Sequence, residues 1–305
     1  MAAITSQTPR TVLVTGASGL IGRAVVDRLR ERGDRVLALD RQPPTSNRLP
    51  AEAVLQVAGD CRVETDVERA FAAAEAYDGV DQVVHLAALP HMSAGTPIEV
   101  FGTNVVSTFT VLAVAARHGV GRSVIASSIH ATGLLGHHRQ PLPDRFPLDE
   151  EQSAHLDDWY SLSKNVDERS AAMVASRWDM SVIALRFPLV QPLSGLRRSA
   201  DSYDQDPARA MREGWTYLED VEAARAVTCA LDARSSGVRV LHVAAPDTLL
   251  SIDTEAALDR YAPNVPRTRS FVGNEAPMDT SPARDVIGFT ARSRFDSTHQ
   301  LEHSR

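Results

Sequence analysis

Tyr160 and Lys164 are the side chains whose types and spacing best suit bond-making chemistry in this sequence. They stand four positions apart in Tyr160-Ser-Leu-Ser-Lys164. On a helix that spacing puts both on one face, a single turn apart. A phenol with an ordinary pKa of about 10 is a poor base at neutral pH. A neighbouring ammonium favours the phenolate. Such a phenolate can take the proton of an alcohol while the carbon gives up hydride to an acceptor. Ser128 is placed to hold the reacting oxygen. It sits at the end of an apolar strand, in Ser127-Ser128-Ile-His130-Ala-Thr-Gly133, and ligands of open α/β sheets bind beyond strand C-termini.

A place for the acceptor precedes this pair. The run Thr15-Gly-Ala-Ser-Gly-Leu-Ile-Gly22 follows a short β-branched strand and opens a helix. In a dinucleotide-binding turn, Gly16 allows the tight bend, Gly19 keeps a Cβ away from the pyrophosphate and Gly22 lets helix and strand pack closely. The helix start then offers free N–H groups and a positive dipole end. Ser18, Leu20 and Ile21 belong to the same turn. Asp40 ends the second strand, at the position about 20 residues on where an acid accepts both ribose hydroxyls. It repels a 2′-phosphate and so favours NAD over NADP, whereas Arg41 beside it can pair with that phosphate. Asp60 follows the third strand and reads equally as an adenine contact or as a turn aspartate beside Gly59. Lys164 can also hold a nicotinamide ribose.

These residues need a scaffold, and the hydrophobic pattern supplies one. Strands are expected at Thr11–Thr15, Arg35–Asp40, Ala53–Ala58, Gln82–Leu86, Ser123–Ser127 and Ser181–Leu185. Helical patterns lie between most of them, at Gly19–Arg32, Glu64–Ala76, Ile98–His118 and Ser161–Arg177. Strand–helix alternation implies βαβ units. The fold class is therefore α/β, a Rossmann-type doubly wound parallel sheet. Residues 1–186 form the dinucleotide-binding domain with the catalytic residues. Residues 187–305 form a small substrate-binding portion that returns to the sheet. Pro188–Pro207 reads as a loop or lid, Glu219–Ala233 and Ser251–Tyr261 as helices, Arg239–Ala244 as a strand, and Ser297–Arg305 as a frayed polar tail.

Composition narrows the function classes. The chain has 305 residues, 43% hydrophobic and 23% charged, with a net charge of −7. An acidic balance argues against a binder of nucleic acid by phosphate neutralisation. Two cysteines supply neither a disulfide framework nor a Cys-rich zinc site, and lone thiols fit a reducing cytosol. No run approaches about 18 apolar residues, so no membrane span is expected. Residues 1–10 lack the apolar stretch of a signal peptide. A cytoplasmic location is the expectation. His137-His138 and His155 lack metal-ligand spacing, and no metal is expected.

Taken together, Thr15–Gly22, Asp40, His85-Leu-Ala-Ala88, Asn104-Val-Val-Ser-Thr108, Ser127-Ser128 and Tyr160/Lys164 resemble the extended short-chain dehydrogenase/reductases, the NAD-dependent epimerase/dehydratase family. Trp215–Asp220 and Ser281–Gly288 resemble its later segments more weakly. The resemblance implies bound NAD(P) and a Ser128–Tyr160–Lys164 triad, with Asn104 near the proton relay. It adds Cys61, Leu86, Ala87, Ala88 and Asn104 to the cofactor contacts. It also implies a homodimer packed through the helices near 98–118 and 161–177.

Two departures bear on the substrate. Nucleotide-sugar members carry an Asn where this chain has Leu189. The stretch from Arg186 to Trp215 is also short. The Ser-Ser-Ile-His run resembles the uronate dehydrogenases, which oxidise the anomeric carbon of a free sugar acid. That likeness makes Ser127 and His130 substrate contacts, His130 reading equally as a histidine packed in a loop, and Arg209 a carboxylate anchor, with Arg197, Arg198 and Arg212 as rivals; His91 follows the fourth strand, where it can line the pocket. The leading reading is an NAD-dependent dehydrogenase of a free sugar, sugar acid or small polyol. The alternatives are an epimerase or dehydratase that keeps its NAD, and a binder of NAD without catalysis.

Overall fold

Short runs rich in valine, leucine and isoleucine, such as Val-Leu-Val at 12–14 and Val-Ile-Ala-Leu at 182–185, suit strands buried on both faces. The computed structural model describes residues 9–42 and 54–295. It contains strands β1 (Thr11–Thr15), β2 (Arg35–Asp40), β3 (Val54–Ala58), β4 (Gln82–His85), β5 (Arg122–Ser128) and β6 (Ser181–Phe187). Strands β7 (Leu189–Gln191) and β8 (Tyr217–Glu219) form a separate parallel pair. Strand β9 (Val238–His242) rejoins the main sheet beside β6. The order is β3-β2-β1-β4-β5-β6-β9, parallel throughout. It reverses between β1 and β4, and a crevice for ligands opens at such a reversal.

Helices cover both faces. On one, α1 (Leu20–Glu31) packs Val25, Val26 and Leu29 into a core that also holds Ala223, Val227 and Leu231. On the other lie α2 (Glu64–Ala73), α3 (Pro97–Arg117) and α4 (Trp159–Trp178), which contribute Phe71, Val111, Leu112 and Val174. A capping box fixes the start of α3: Glu99 N–H donates to the Thr96 hydroxyl, and the Glu99 carboxylate accepts from Thr96 N–H. Asp158 caps α4 by accepting from Tyr160 N–H at 2.9 Å and Ser161 N–H at 2.8 Å. Thus the turn that carries the tyrosine is anchored by the residue two before it.

Two expectations need correction. Residues 188–207 are not a loop: β7 is followed by α5 (Leu193–Gln205). The prolines punctuate rather than fill the segment, with Pro192 at the N-cap of α5 and Pro207 opening a 3-10 segment, Pro207–Glu213. Helix α3 has the length and mean hydropathy, 1.6, of a membrane-spanning helix, although no unbroken apolar run signals it. Its Val100, Val111, Leu112 and Ala115 are buried in the protein. Beyond α5, the chain forms α6 (Asp220–Asp232), α7 (Thr254–Tyr261) and α8 (Ser281–Ile287). A third core of Phe146, Trp215, Leu250, Leu258 and Phe271 joins the C-terminal portion to the loop before α4. Ala53 and the tail from Ser297 lie outside the described residues.

Candidate active site

Two adjoining cavities, of about 770 and 640 Å³, open at the sheet reversal and share Gly16, Gly19, Leu86 and Ala88. The smaller one fits the adenosine half of a dinucleotide. Gly16 has φ +67°, and a Cβ there would lie 2.6 Å from the Ala87 nitrogen. A Cβ at Gly22 would lie 2.1 Å from the Gly16 carbonyl oxygen. Both glycines are therefore dictated by close backbone approach. Gly19 is the N-cap of α1, with no side-chain cap and no acid in the first turn. That leaves the helix N–H groups open for a phosphate.

Asp40 closes the turn from the other side. Its Oδ2 accepts from Ser18 N–H at 3.0 Å and its Oδ1 from Gln42 N–H at 3.2 Å. Asp40, Arg41, Asp60, Cys61, Leu86, Ala87 and Ala88 all line the smaller cavity, as does Ser18. Asp60 is held by Arg62, whose Nη2 lies 2.6 Å from Oδ2, and this hydrogen bond keeps the carboxyl below its usual range. Burial pushes the Cys61 thiol up to about 12, so it acts as a small neutral wall. An uncapped helix start, glycines in contact with backbone and an acid at the ribose position fit a dinucleotide.

Ser128, His130, Tyr160, Lys164, His91, Ser127 and Arg209 all line the larger cavity, as do Leu20 and Ile21. Lys164 Nζ donates to the Ala126 carbonyl at 2.9 Å and to Asp167 Oδ2 at 3.2 Å. Burial works against its charge, but Asp167 and the Tyr160 oxygen outweigh that and raise its pKa above the ordinary lysine value. His130 meets the Tyr160 ring edge-on, with centroids 5.5 Å apart. Burial pushes its pKa down to about 4, so it is a neutral imidazole able to give or take a hydrogen bond. His130 N–H donates to Ser128 Oγ at 3.1 Å, which orients the hydroxyl at the strand end.

Two expected site residues spend their side-chain hydrogen bonds within the protein. The Ser127 hydroxyl donates to Glu168 at 2.5 Å. Asn104 is fully buried: its Nδ2 donates to the Leu89 carbonyl and to Ser163 Oγ, and its Oδ1 accepts from Leu89 N–H. Asn104 therefore ties the loop after β4 to α4 as a positioning residue.

Residues that the sequence reading passed over also meet here. Glu168 receives Ser127 and forms a buried pair with Arg186, at 2.8 and 2.9 Å. A charged residue inside the apolar run Ser181–Phe187 was the available signal for Arg186. Gln191, Ser199, Ser202, Tyr203 and Glu213 line the substrate end, and no motif marks them.

The fold also gathers His137, His138 and Asp157, whose ligating atoms lie within 4.8 Å of one another. Sequence spacing hides this because Asp157 arrives from across a loop. The His138 ring hydrogen-bonds Asp157, and Arg139 donates to both rings.

Burial pushes the Glu213 carboxyl up to about 7, with the nearby Arg209 opposing the shift. A group that holds its proton more tightly when folded binds more protons in the native state between its unfolded and folded pKa values. Stability must then fall as pH rises through that window, from about 4.5 to about 7. Glu213→Gln should therefore raise the thermal midpoint at pH about 8 and leave it unchanged at pH about 4. Calorimetric melts at both pH values check this.

The model of the NAD dependent epimerase/dehydratase family matches residues 12–192. The chain is 30% identical over 192 residues to a uronate dehydrogenase of Pseudomonas putida, a match covering 60% of this chain and 63% of that protein. It is 26% identical over 275 residues to an L-arabinose 1-dehydrogenase (NAD(P)(+)) of Haloferax volcanii, covering 88% and 97%. The chain spans less than two thirds of the length of the first curated relatives it matches, 36% and 63%. Among solved structures, MoeE5 in complex with UDP-glucuronic acid and NAD superposes with a TM-score of 0.65 at 25% identity, covering 93% of this chain and 94% of that one.

Proposed function

This chain belongs to the NAD-dependent epimerase/dehydratase family, and we propose that within it the chain is an NAD-dependent dehydrogenase that oxidises a carbinol carbon of a free sugar, sugar acid or similar small polyol. The observation that carries this reading is the wall of the larger cavity at β7. Phe187, Pro188, Leu189 and Val190 line it there. Leu189 gives no hydrogen bond to a diphosphate at the position where nucleotide-sugar members carry an asparagine. Burying diphosphate oxygens against an apolar wall is costly.

Bound NAD supplies the hydride acceptor. The turn Gly16–Gly22 and the start of α1 would hold its pyrophosphate, Asp40 its adenosine ribose, and Asp60 and Cys61 the adenine end. Tyr160 takes the proton of the substrate hydroxyl. Ser128 Oγ, oriented by the His130 N–H, fixes the reacting oxygen. Lys164 keeps a positive charge beside the phenol oxygen, where it offsets the negative charge that develops as the proton moves. His130, neutral and against Tyr160, orders a second substrate hydroxyl.

Asp40→Ala should raise the KM for NAD about tenfold, the value of one ribose hydrogen-bond set at roughly 1.4 kcal/mol. Arg41 remains in place, so the variant should use NADP better than the parent does. Initial rates with both dinucleotides check this.

The reading itself is tested by nicotinamide absorbance on purified protein with NAD or NADP and a panel of aldoses, uronic acids and simple alcohols. Growth of the reduced-cofactor signal with one class supports it. A second reading, an epimerase or dehydratase with retained NAD, draws on the neighbour solved with UDP-glucuronic acid. Silence across the panel, with NAD released on denaturation, would put that reading first.

A homodimer through α3 and α4 belongs to the same proposal. Ile98, Val106 and Phe109 on α3 and Leu162 and Met173 on α4 are exposed, at 85, 44, 44, 40 and 41%. Large apolar side chains gathered on adjacent helices mark an interaction face. Phe109→Arg should convert a dimer to a monomer in light scattering, and an unchanged mass would discard this interface.

A further inference from the structure

Glu213 closes the 3-10 segment at the substrate end of the larger cavity, whose lining it shares with Arg209, Tyr203, Ser199, Ser202 and Gln191. Its backbone is fixed: the Thr216 hydroxyl donates to the Glu213 carbonyl at 2.7 Å. Its carboxylate accepts no hydrogen bond among the described residues, although it lies close enough to Tyr203 and Arg209 to act on both electrostatically. An ionised carboxylate offers about four acceptor sites and no donor. Its oxygens are open to the cavity, so water supplies the donors until a ligand replaces it.

The charges around it set what can enter. Arg209 is the cation that a sugar acid would need, yet Glu213 shares its field. The other cation of the cavity, Lys164, is paired with Asp167. His130 is neutral because it is buried. Above pH about 7 the described residues of the substrate end therefore carry one positive and one negative group in mutual range. A substrate carboxylate brought there meets Glu213, and like charges placed together in an interface are strongly disfavoured. A polyhydroxyl substrate instead brings O–H donors to Glu213 and acceptors to Arg209.

We propose that Glu213 is a specificity-determining residue that selects an uncharged sugar or polyol over the corresponding sugar acid. This rests on the dehydrogenase reading above and narrows its substrate class. Arg209, expected from sequence as the carboxylate anchor, serves here as the cation that opposes the effect of burial on Glu213 and as a donor to sugar oxygens.

The test uses matched pairs that differ only by a hydroxymethyl group against a carboxylate: galactose with galacturonate, and glucose with glucuronate. Nicotinamide absorbance at saturating NAD and pH about 8, where Glu213 is ionised, gives kcat and KM. Calorimetry of each sugar with the protein–NADH complex gives affinity without turnover. The parent should prefer the neutral member of a pair by at least about tenfold in kcat/KM. Glu213→Gln keeps the side chain's shape and removes its charge. It should raise KM for the neutral sugar about tenfold, leave kcat within about threefold, and improve the sugar acid so that the preference is lost or inverted. A parent that prefers the acid, or a ratio that Glu213→Gln leaves unchanged, overturns the proposal while the dehydrogenase reading stands. If no sugar is turned over but both bind, the affinity ratio decides in the same way. If neither member of either pair binds or reacts, this proposal is overturned, and the full panel above decides the dehydrogenase reading. The melting midpoint of Glu213→Gln shows whether the variant is folded.

Discussion

Tyr160→Phe should lower kcat about a thousandfold and leave stability and dinucleotide affinity close to the parent's. The size follows from the part assigned to the phenol: a positioned general base is worth roughly 10²- to 10⁴-fold. The selectivity follows from the geometry. The ring is 7% exposed, on the first turn of α4, and phenylalanine fills the same space. The backbone of that turn is held by the Asp158 cap, and the ring by the edge of His130. Neither contact uses the hydroxyl. Lys164 keeps Ala126 and Asp167 as partners, so no buried charge is stranded. A fall in kcat with KM nearly constant is the mark of a group that acts in the transition state only. Retention of more than a tenth of parental kcat at saturating NAD and substrate would remove Tyr160 from the role of base.

Glu168→Ala should cost about 3–5 kcal/mol of unfolding free energy, the range for stripping one partner from a buried ion pair. Glu168 on α4 receives Arg186 Nε at 2.8 Å and Nη2 at 2.9 Å, and the Ser127 hydroxyl at 2.5 Å. The side chains of the pair are only 10% and 8% exposed. Without the carboxylate, a guanidinium is left inside the sheet beside His242, whose ring nitrogens already lack partners among the described residues. Removing both charges should be milder than removing one. Glu168→Ala with Arg186→Leu should recover part of the loss, and the coupling in that double-mutant cycle measures the pair itself. Urea unfolding of the three variants checks this. A single-variant loss under about 1 kcal/mol would show that water reaches the guanidinium. Ser127 loosens with Glu168, and Ser128 is its neighbour, so the single variant should also lose activity at temperatures where it remains folded.

The sequence by itself determined the elements and the features that depend on near neighbours. Apolar runs broken by glycine and aspartate made β1, β2, β4, β5 and β6 legible, because a strand buried on both faces is mainly apolar and any polar residue in it needs a buried partner. Gly16, Gly19 and Gly22 were legible because a tight turn that touches backbone excludes a Cβ, and that demand is local. Tyr160 and Lys164 were legible because a helix places such a pair on one face. Helix α5 was missed for the complementary reason. Its buried stripe is only Gly195, Leu196 and Ala200, and its remaining composition of serine, arginine and aspartate resembles a loop.

Only the tertiary structure decided which side chains meet across the cavity. Ser127 and Ser128 are adjacent in sequence and line one cavity, but the Ser127 hydroxyl is spent on Glu168 while Ser128 Oγ, among the described residues, is bonded only by the nearby His130 N–H. Asn104 was expected near the proton relay; the packing of α3 on α4 is what brings its amide to Leu89 and to Ser163, the neighbour of Lys164. Glu213 and Arg209 reach the same cavity as Tyr160 only because the chain after β6 folds back over the crevice before β9 returns to the sheet. Periodicity and backbone sterics act over a few residues and can be read along the chain. The charge and shape of a substrate pocket come from residues that crossovers bring together from distant positions, and only the folded sheet specifies those.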